Sequence, residues 1–205
     1  MDRRSLLIRS SAIAIGVLPL IATAATAVVG QTAPAFTLLD TSGKPLRLVG
    51  FAGKTVVLEW NNPGCPFVRK HYQGNMQALQ KEAAAQGVVW LAINSTETAS
   101  GDYLSPAQLA RWMQDKQAVP TATLMDEDGV VGKAYGARVT PHMYIVNAQG
   151  VLVYAGGIDS IPSSRVDDIP KATPYIRQAL GEIKAGKPLS VSTSQAYGCS
   201  VKYKS

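Results

Sequence analysis

Thr55-Val56-Val57-Leu58-Glu59-Trp60-Asn61-Asn62-Pro63-Gly64-Cys65-Pro66-Phe67-Val68 is the stretch on which the fold turns. β-Branched and aromatic residues run to Trp60, broken only by Glu59, so the first part reads as a central buried strand. Asn61 to Gly64 reads as a tight turn. Pro66 suits the first position of a helix, where a missing N–H costs nothing. Cys65 is therefore predicted at the N-cap, beside unpaired N–H groups and the positive end of the helix dipole. Both favour the thiolate, which is the nucleophilic form of cysteine. The helix is expected to run from Pro66 to about Ala85, with Phe67, Val68, Met76 and Leu79 inward and Lys81 and Glu82 outward. On that continuous helix His71 falls on the solvated face.

Working outward, strands and helices alternate. Pro34–Leu39 and Leu46–Val49 are expected as strands either side of a Ser42-Gly43-Lys44-Pro45 turn, and Val88–Ile93 as a second buried strand. Ser105-Pro106 signals a helix through Leu109, Trp112 and Met113, with Ser as N-cap. A short strand Thr121–Met125, a short helix Val130–Tyr135, a hairpin His142–Tyr154 and a last helix Pro174–Ala185 complete the pattern. Trp60 and Trp112 read as core. Ile158–Thr173 reads as a mobile flap with Asp159 in a loop, and residues 189–205 as a mobile polar tail carrying Cys199. This order implies a central mixed β-sheet flanked by helices on both faces. Ligands of such sheets bind beyond the carboxyl ends of strands, where Cys65 and the turn Arg138-Val139-Thr140-Pro141-His142 both fall. Pro141, introducing a strand beside a reactive loop, is expected to be cis.

The first 27 residues read as a leader. Arg3, Arg4 and Arg9 precede an apolar run from Ile13 to Ile21 and a small-residue end, Ala25-Thr26-Ala27. Arg3-Arg4-Ser5-Leu6-Leu7 resembles a twin-arginine signal, so a periplasmic protein is expected. The formal charge is +6, of which +2 lies in the leader; the remaining Lys and Arg are scattered, which argues against a nucleic-acid footprint. In an oxidising compartment the two cysteines, Cys65 and Cys199, admit one pairing, either an inert staple or a working couple. No Gly-rich phosphate loop, His-x-x-x-His pair or Gly-x-Ser-x-Gly elbow occurs. Asp126-Glu127-Asp128-Gly129 lacks the ligand spacing of a calcium loop and reads as an acidic turn before a helix.

A strand, a turn and a helix-start cysteine, followed about 76 residues later by Thr140-Pro141 and a hairpin, resembles the thioredoxin superfamily. More narrowly, Val29-Gly30-Gln31-Thr32-Ala33-Pro34-Ala35-Phe36, Asn62–Val68, Val139–Ile145 and Tyr154-Ala155-Gly156-Gly157-Ile158-Asp159 are similar to an exported, peroxiredoxin-like redoxin (AhpC/TSA-type) branch. The resemblance implies a thioredoxin-like three-layer fold over residues 28–188. It also implies an exported thiol-disulfide oxidoreductase or peroxiredoxin-like antioxidant protein. Three departures stand out. Val68 replaces the second cysteine of a Cys-x-x-Cys pair. Asn62 and Leu58 stand where peroxiredoxins carry Thr or Ser and Pro, and Pro141 stands where they carry Arg. These predict slow peroxide reduction at most.

The resulting expectation is specific. Cys65 attacks a disulfide or a peroxide and Cys199 resolves the adduct. Pro141 shapes the groove and Thr140 offers a backbone edge to an extended peptide. His142 is a candidate proton handler, and Asn62 and Arg138 are candidates for orienting an oxyanion or peroxide. No cofactor or metal is implied. The partners are an external thioredoxin-like thiol reductant and a disulfide or peroxide substrate. Pairing of Cys65 with Cys199 within one chain or across a homodimer stays open. So do two other readings: copper handling by Cys65 and His142, and a binding module with Cys65–Cys199 as a structural disulfide.

Overall fold

Val56–Trp60 (β3) is buried along its whole length because both of its edges are occupied. Val89–Asn94 (β4) runs parallel on one side and His142–Val146 (β7) antiparallel on the other. A strand so placed can be apolar on both faces. The structure is a computed structural model that describes residues 26–204; the leader expected over residues 1–27 lies almost wholly outside the described residues. No helix among these residues is long and apolar enough to cross a membrane.

Around β3 a mixed sheet assembles from Thr37–Asp40 (β1), Pro45–Arg47 (β2), β3, β4, Ala122–Met125 (β5), β7 and Leu152–Gly156 (β8), in the order β2-β1-β5-β4-β3-β7-β8. Because side chains alternate along a strand, β3 feeds two cores. Val57 joins Trp90 and Ile145 against Pro66–His71 (α1), Asn75–Ala85 (α2), Pro106–Asp115 (α3) and Tyr175–Lys184 (α5). Leu58 and Trp60 join Leu91, Ile93 and Tyr144 against Val130–Tyr135 (α4). Helices thus lie on both faces, as the alternation of elements predicts. Ser105 caps α3, its hydroxyl accepting the Gln108 N–H at 3.4 Å. The first strand begins three residues later than its sequence suggests, at Thr37.

The helix expected from Pro66 to Ala85 is two helices. Gly74 takes φ 118°, in the left-handed region that favours glycine, and α1 stops at His71. The Gln77 carboxamide accepts the Gly74 N–H at 3.0 Å and restarts the chain as α2. The break changes which faces are buried: His71, expected in solvent, is fully enclosed, as is Lys70 beside it. The segment 158–173, expected as a flap, contains a 3-10 helix at Val166–Lys171, and Ser163 Oγ donates to Asp168 at 2.7 Å within it.

Glu59 has no exposure and sits under the sheet's Cys65 end. Its carboxylate accepts from Asn61 Nδ2 at 2.8 Å, the Tyr72 hydroxyl at 2.7 Å and Trp90 Nε1 at 2.7 Å. Burial pushes its pKa above the ordinary 4.5, against the pull of those donors. Folded Glu59 therefore holds its proton more tightly than the unfolded chain does. Its contribution to stability is full below the ordinary value and is lost as pH rises through the raised native one. Glu59→Gln removes that titration. Thermal melts from about pH 4 to about pH 9 should show wild type losing about 1–3 kcal/mol relative to the variant as pH rises. A difference that stays flat with pH would contradict this account.

Candidate active site

Three separate parts of the chain converge on one sulfur beyond the carboxyl end of β3. Cys65 is the N-cap of α1, with Pro66 at the first helical position, as the sequence predicts. The preceding turn is closed by the Asn62 side chain, whose Oδ1 accepts the Gly64 N–H at 2.7 Å, and by Cys65 N–H donating to Asn62 O at 3.0 Å. Asp102 lies against this turn: a Cβ at Gly64 would stand 2.9 Å from its Oδ1. The second part is Val139–Thr140 (β6) and the Thr140–Pro141 peptide, which is cis as expected. The Cys65 thiol donates to Thr140 O at 3.0 Å. The third part is the tail. Cys199–Ser200 (β9) pairs antiparallel with β6, with Thr140 opposite Cys199 and Val139 opposite Ser200. Both cysteines stand as free thiols.

The tail, expected to be mobile, docks on the body of the fold at several points. Ser194 Oγ bonds the Tyr154 hydroxyl at 2.7 Å and accepts the Gly157 N–H at 3.0 Å. Val201 N–H donates to Arg138 O at 3.0 Å, Glu97 N–H to Lys202 O at 2.8 Å, and the Tyr203 hydroxyl to Ala137 O at 2.6 Å. Bare glycines admit these approaches: a Cβ at Gly156, Gly129 or Gly132 would collide with Ser194 or Tyr203, and one at Gly198 with Thr140 O. A polar stretch without hydrophobic period carries no signal for such docking. The glycines that receive it are scattered through the body, beyond the reach of local pattern.

The thiol pair is electrostatically asymmetric. Burial raises Cys65, but contacts to its sulfur from the Cys199 thiol, the Val68 amide and Thr140 outweigh it and bring the thiol below the ordinary 9.0. Burial and the adjoining Cys65 sulfur together push Cys199 up to about 12. Cys65 is the member that ionises first.

Of the other candidates, Asn62 closes the turn before Cys65, whereas His142 packs with Tyr144 on the α4 side of the sheet, away from the core that holds Cys65. His142 is buried; its Nδ1 faces the Arg138 N–H at 3.4 Å and the Tyr144 hydroxyl at 3.2 Å, and its ring lies 4.6 Å from that of Tyr144. Burial, then the Arg138 charge, pull it down to about 4, so it is neutral near neutral pH. Arg138 and His142 line a cleft with Tyr144, Gln195 and Ser200. No group of three or more His, Cys, Asp or Glu among the described residues is placed to hold a metal.

One cluster escaped the sequence reading altogether. Asp159, expected in a loop, is buried with Lys70 at 3.6 Å and His71 at 3.7 Å from Oδ2, and Tyr197 donates to its Oδ1. Asn75 Nδ2 donates to His71 Nδ1 at 2.8 Å, which leaves the ring proton on Nε2, 3.3 Å from the Tyr197 hydroxyl. Burial lowers His71 to about 4. The cluster ties the Cys65 helix to the tail two residues before Cys199. The sequence signal was faint: two titratable residues at the end of a helix and a Tyr near the second cysteine.

Residues 29–155 match the AhpC/TSA family. The chain is similar to the thiol-disulfide oxidoreductase ResA of Halalkalibacterium halodurans, 28% identical over 131 residues, which is 63% of this chain and 69% of that protein. Among solved structures it resembles an uncharacterized conserved protein from Geobacillus kaustophilus, with a TM-score of 0.77 and 28% identity. That likeness covers 86% of this chain and 93% of the other. The thioredoxin domain of a thiol-disulfide oxidoreductase from Bacteroides vulgatus, at 20% identity and a TM-score of 0.52, covers 71% of this chain and 98% of that one. It shares the thioredoxin-like fold.

The asymmetry of the pair is measurable. Thiolate absorbance of the reduced protein should rise with a first midpoint below 9.0, assigned to Cys65 by its loss in Cys65→Ser, and a second far above it. Cys199→Ala removes a donor from the Cys65 sulfur and should move the first midpoint upward. An unmoved midpoint would show that the two sulfurs do not share a proton.

Proposed function

The chain belongs to the AhpC/TSA family, and from that premise we propose that it is an exported thiol-disulfide oxidoreductase with Cys65 as nucleophile and Cys199 as resolving partner. The observation that carries this reading is the pairing of β6 with β9, which sets Cys199 opposite Thr140 while Thr140 O holds the Cys65 thiol. The name of the ResA relative agrees with the chemistry. The leader pattern around Arg3-Arg4 and Ile13–Ile21 supports export to the periplasm. Residues 28–188 form the redoxin body in this reading, and residues 189–205 the tail that supplies the second sulfur.

The steps balance without a cofactor. Cys65 thiolate attacks one sulfur of a substrate disulfide; a mixed disulfide forms and the other substrate sulfur leaves as thiolate. Cys199, deprotonated, attacks the Cys65 sulfur, releasing the reduced substrate and forming Cys65–Cys199. An external dithiol then reduces that bond and is itself oxidised. Because Cys199 stands opposite Thr140 of the same chain, whose carbonyl takes the Cys65 thiol, the resolving step in this reading needs no second subunit.

Disulfides suit the site better than peroxide. The Asn62 side-chain oxygen is engaged by Gly64 N–H, and Leu58 is fully buried in the second core. Arg138 lines the cleft with His142 and Tyr144. An antioxidant role therefore rests on a slow reaction, Cys65 thiolate taking one peroxide oxygen to give sulfenic acid and hydroxide, followed by condensation with Cys199 and loss of water.

A disulfide-linked peptide substrate discriminates the roles. Cys65→Ser should lose reduction by at least about a hundredfold. Cys199→Ser should still react once, and intact mass should show it arrested as the Cys65 mixed disulfide. Turnover of Cys199→Ser at the wild-type rate, with no adduct, would remove Cys199 from the mechanism.

A further inference from the structure

Cys65 is 1% exposed, although its sulfur must meet a partner outside the chain. Beside it lies the tail, which arrives as a strand and sets Cys199 opposite Thr140, whose carbonyl takes the Cys65 thiol. Cys199 and Ser200 use the free edge of β6, the edge at which an extended peptide would add by main-chain pairing. Gly198 lies flat on the Thr140–Pro141 peptide with φ 142°, and a Cβ there would fall inside the radius of Thr140 O. In this register the residue before the cysteine has no room for a side chain. The pairing is only two residues long; around it the tail is held by Tyr197 on Asp159 and His71, Val201 on Arg138, Lys202 on Glu97, Tyr203 on Ala137 and Ser194 on Tyr154 and Gly157. Two residues of edge pairing add little of their own, and local opening of such a segment is the kind of motion that binding sites draw on.

Resting on the reading of Cys65 as the nucleophile, we infer that the β6 edge is a binding groove for an extended polypeptide with glycine immediately before its cysteine, and that Gly198-Cys199 is its resident occupant. The tail is a tethered competitor. It shields the thiol until it lifts, and an external Gly-Cys disulfide takes its place against Thr140. The observed rate with any outside substrate is then scaled by the fraction of molecules whose tail is open.

The test uses the full chain and two peptides, Tyr-Gly-Cys-Ser-Val-Lys and Tyr-Ala-Cys-Ser-Val-Lys, each as a mixed disulfide with thionitrobenzoate. Cys65 thiolate attacks the peptide sulfur, a Cys65–peptide disulfide forms, and the coloured thionitrobenzoate leaves with the electron pair, so no other oxidant enters. Wild type should react with the Gly peptide at least about tenfold faster than with the Ala peptide. Gly198→Ala, which unseats the tail, and Tyr197→Phe, which removes its anchor on Asp159, should each accelerate the Gly peptide by about tenfold, because the open fraction rises. Circular dichroism confirms that both variants fold. Equal rates for the two peptides, or tail variants no faster than wild type, overturn the groove while leaving Cys65 as nucleophile. Failure of Cys65 to release thionitrobenzoate in any variant overturns the oxidoreductase reading as well.

Discussion

The contact between the Gly198 backbone and the Thr140–Pro141 peptide governs the reactive end of this molecule. It sets the register in which Cys199 faces Thr140, and Thr140 in turn supplies the carbonyl that accepts the Cys65 thiol. A sulfur at a helix start, a carbonyl before a strand and a cysteine near the chain's end are thereby fixed by one close approach. The approach is available only because no Cβ intervenes. The same device recurs along the tail, with Ser194 seated over Gly156, the Gln195 carbonyl over Gly157 and Tyr203 over Gly129 and Gly132. Backbone brought this near can exchange main-chain hydrogen bonds, so a polar segment without an apolar stripe still docks.

Docking also needs a specific angle, and buried charge supplies it. Lys70 and Asp159 are an enclosed ion pair with His71 and Tyr197 around them. Taking two charges out of water costs so much that the pair adds little net stability, whereas removing one partner costs about 3–5 kcal/mol. Such a cluster tolerates few arrangements. Here it selects the one in which α1, the loop at Asp159 and Tyr197 meet, and so fixes where the next residues of the tail can go. A second enclosed carboxylate works on the opposite face of the sheet. Asp126 accepts from Ser95 Oγ at 2.5 Å and from the Val131 and Gly132 amides at 3.1 and 2.8 Å, while Trp60 Nε1 donates to Ser95 at 3.0 Å. It holds α4, on whose glycine Tyr203 lies, to the end of the strand that leads to Cys65.

What could be read in the sequence was what is local. The run to Trp60, the Pro66 helix start, the Ser105-Pro106 cap and the helix Val130–Tyr135 each announce themselves within a few residues, and the structure has them. The helix break at Gly74 was misread because a single glycine inside an apolar 3.6-residue pattern is compatible with continuation; the competing cap from Gln77 decides it. His71, Asp159 and Asp126 were assigned to solvent or turns because isolated charged residues usually belong there. Their burial depends on partners 30 or more positions away for Asp126 and Ser95, and 88 away for His71 and Asp159. The tail failed for the same reason: its structure is written in the glycines of other elements.

The two thiols share a dependence that gives the pair its direction. Burial, with the adjoining Cys65 sulfur, holds Cys199 at about 12. Closing the reduced pair to a disulfide takes a two-electron oxidant, and a substrate disulfide is such an oxidant. In the proposed cycle, a Cys65 that has formed a mixed disulfide no longer carries a charge, and its sulfur is a poor acceptor. Of the forces that kept the proton on Cys199, burial remains and the Coulombic one disappears. In that cycle Cys199 would give up its proton more readily once its target has become an electrophile. The asymmetry of the pair rests on the close approach at Gly198, which brings Cys199 opposite Thr140, whose carbonyl takes the Cys65 thiol.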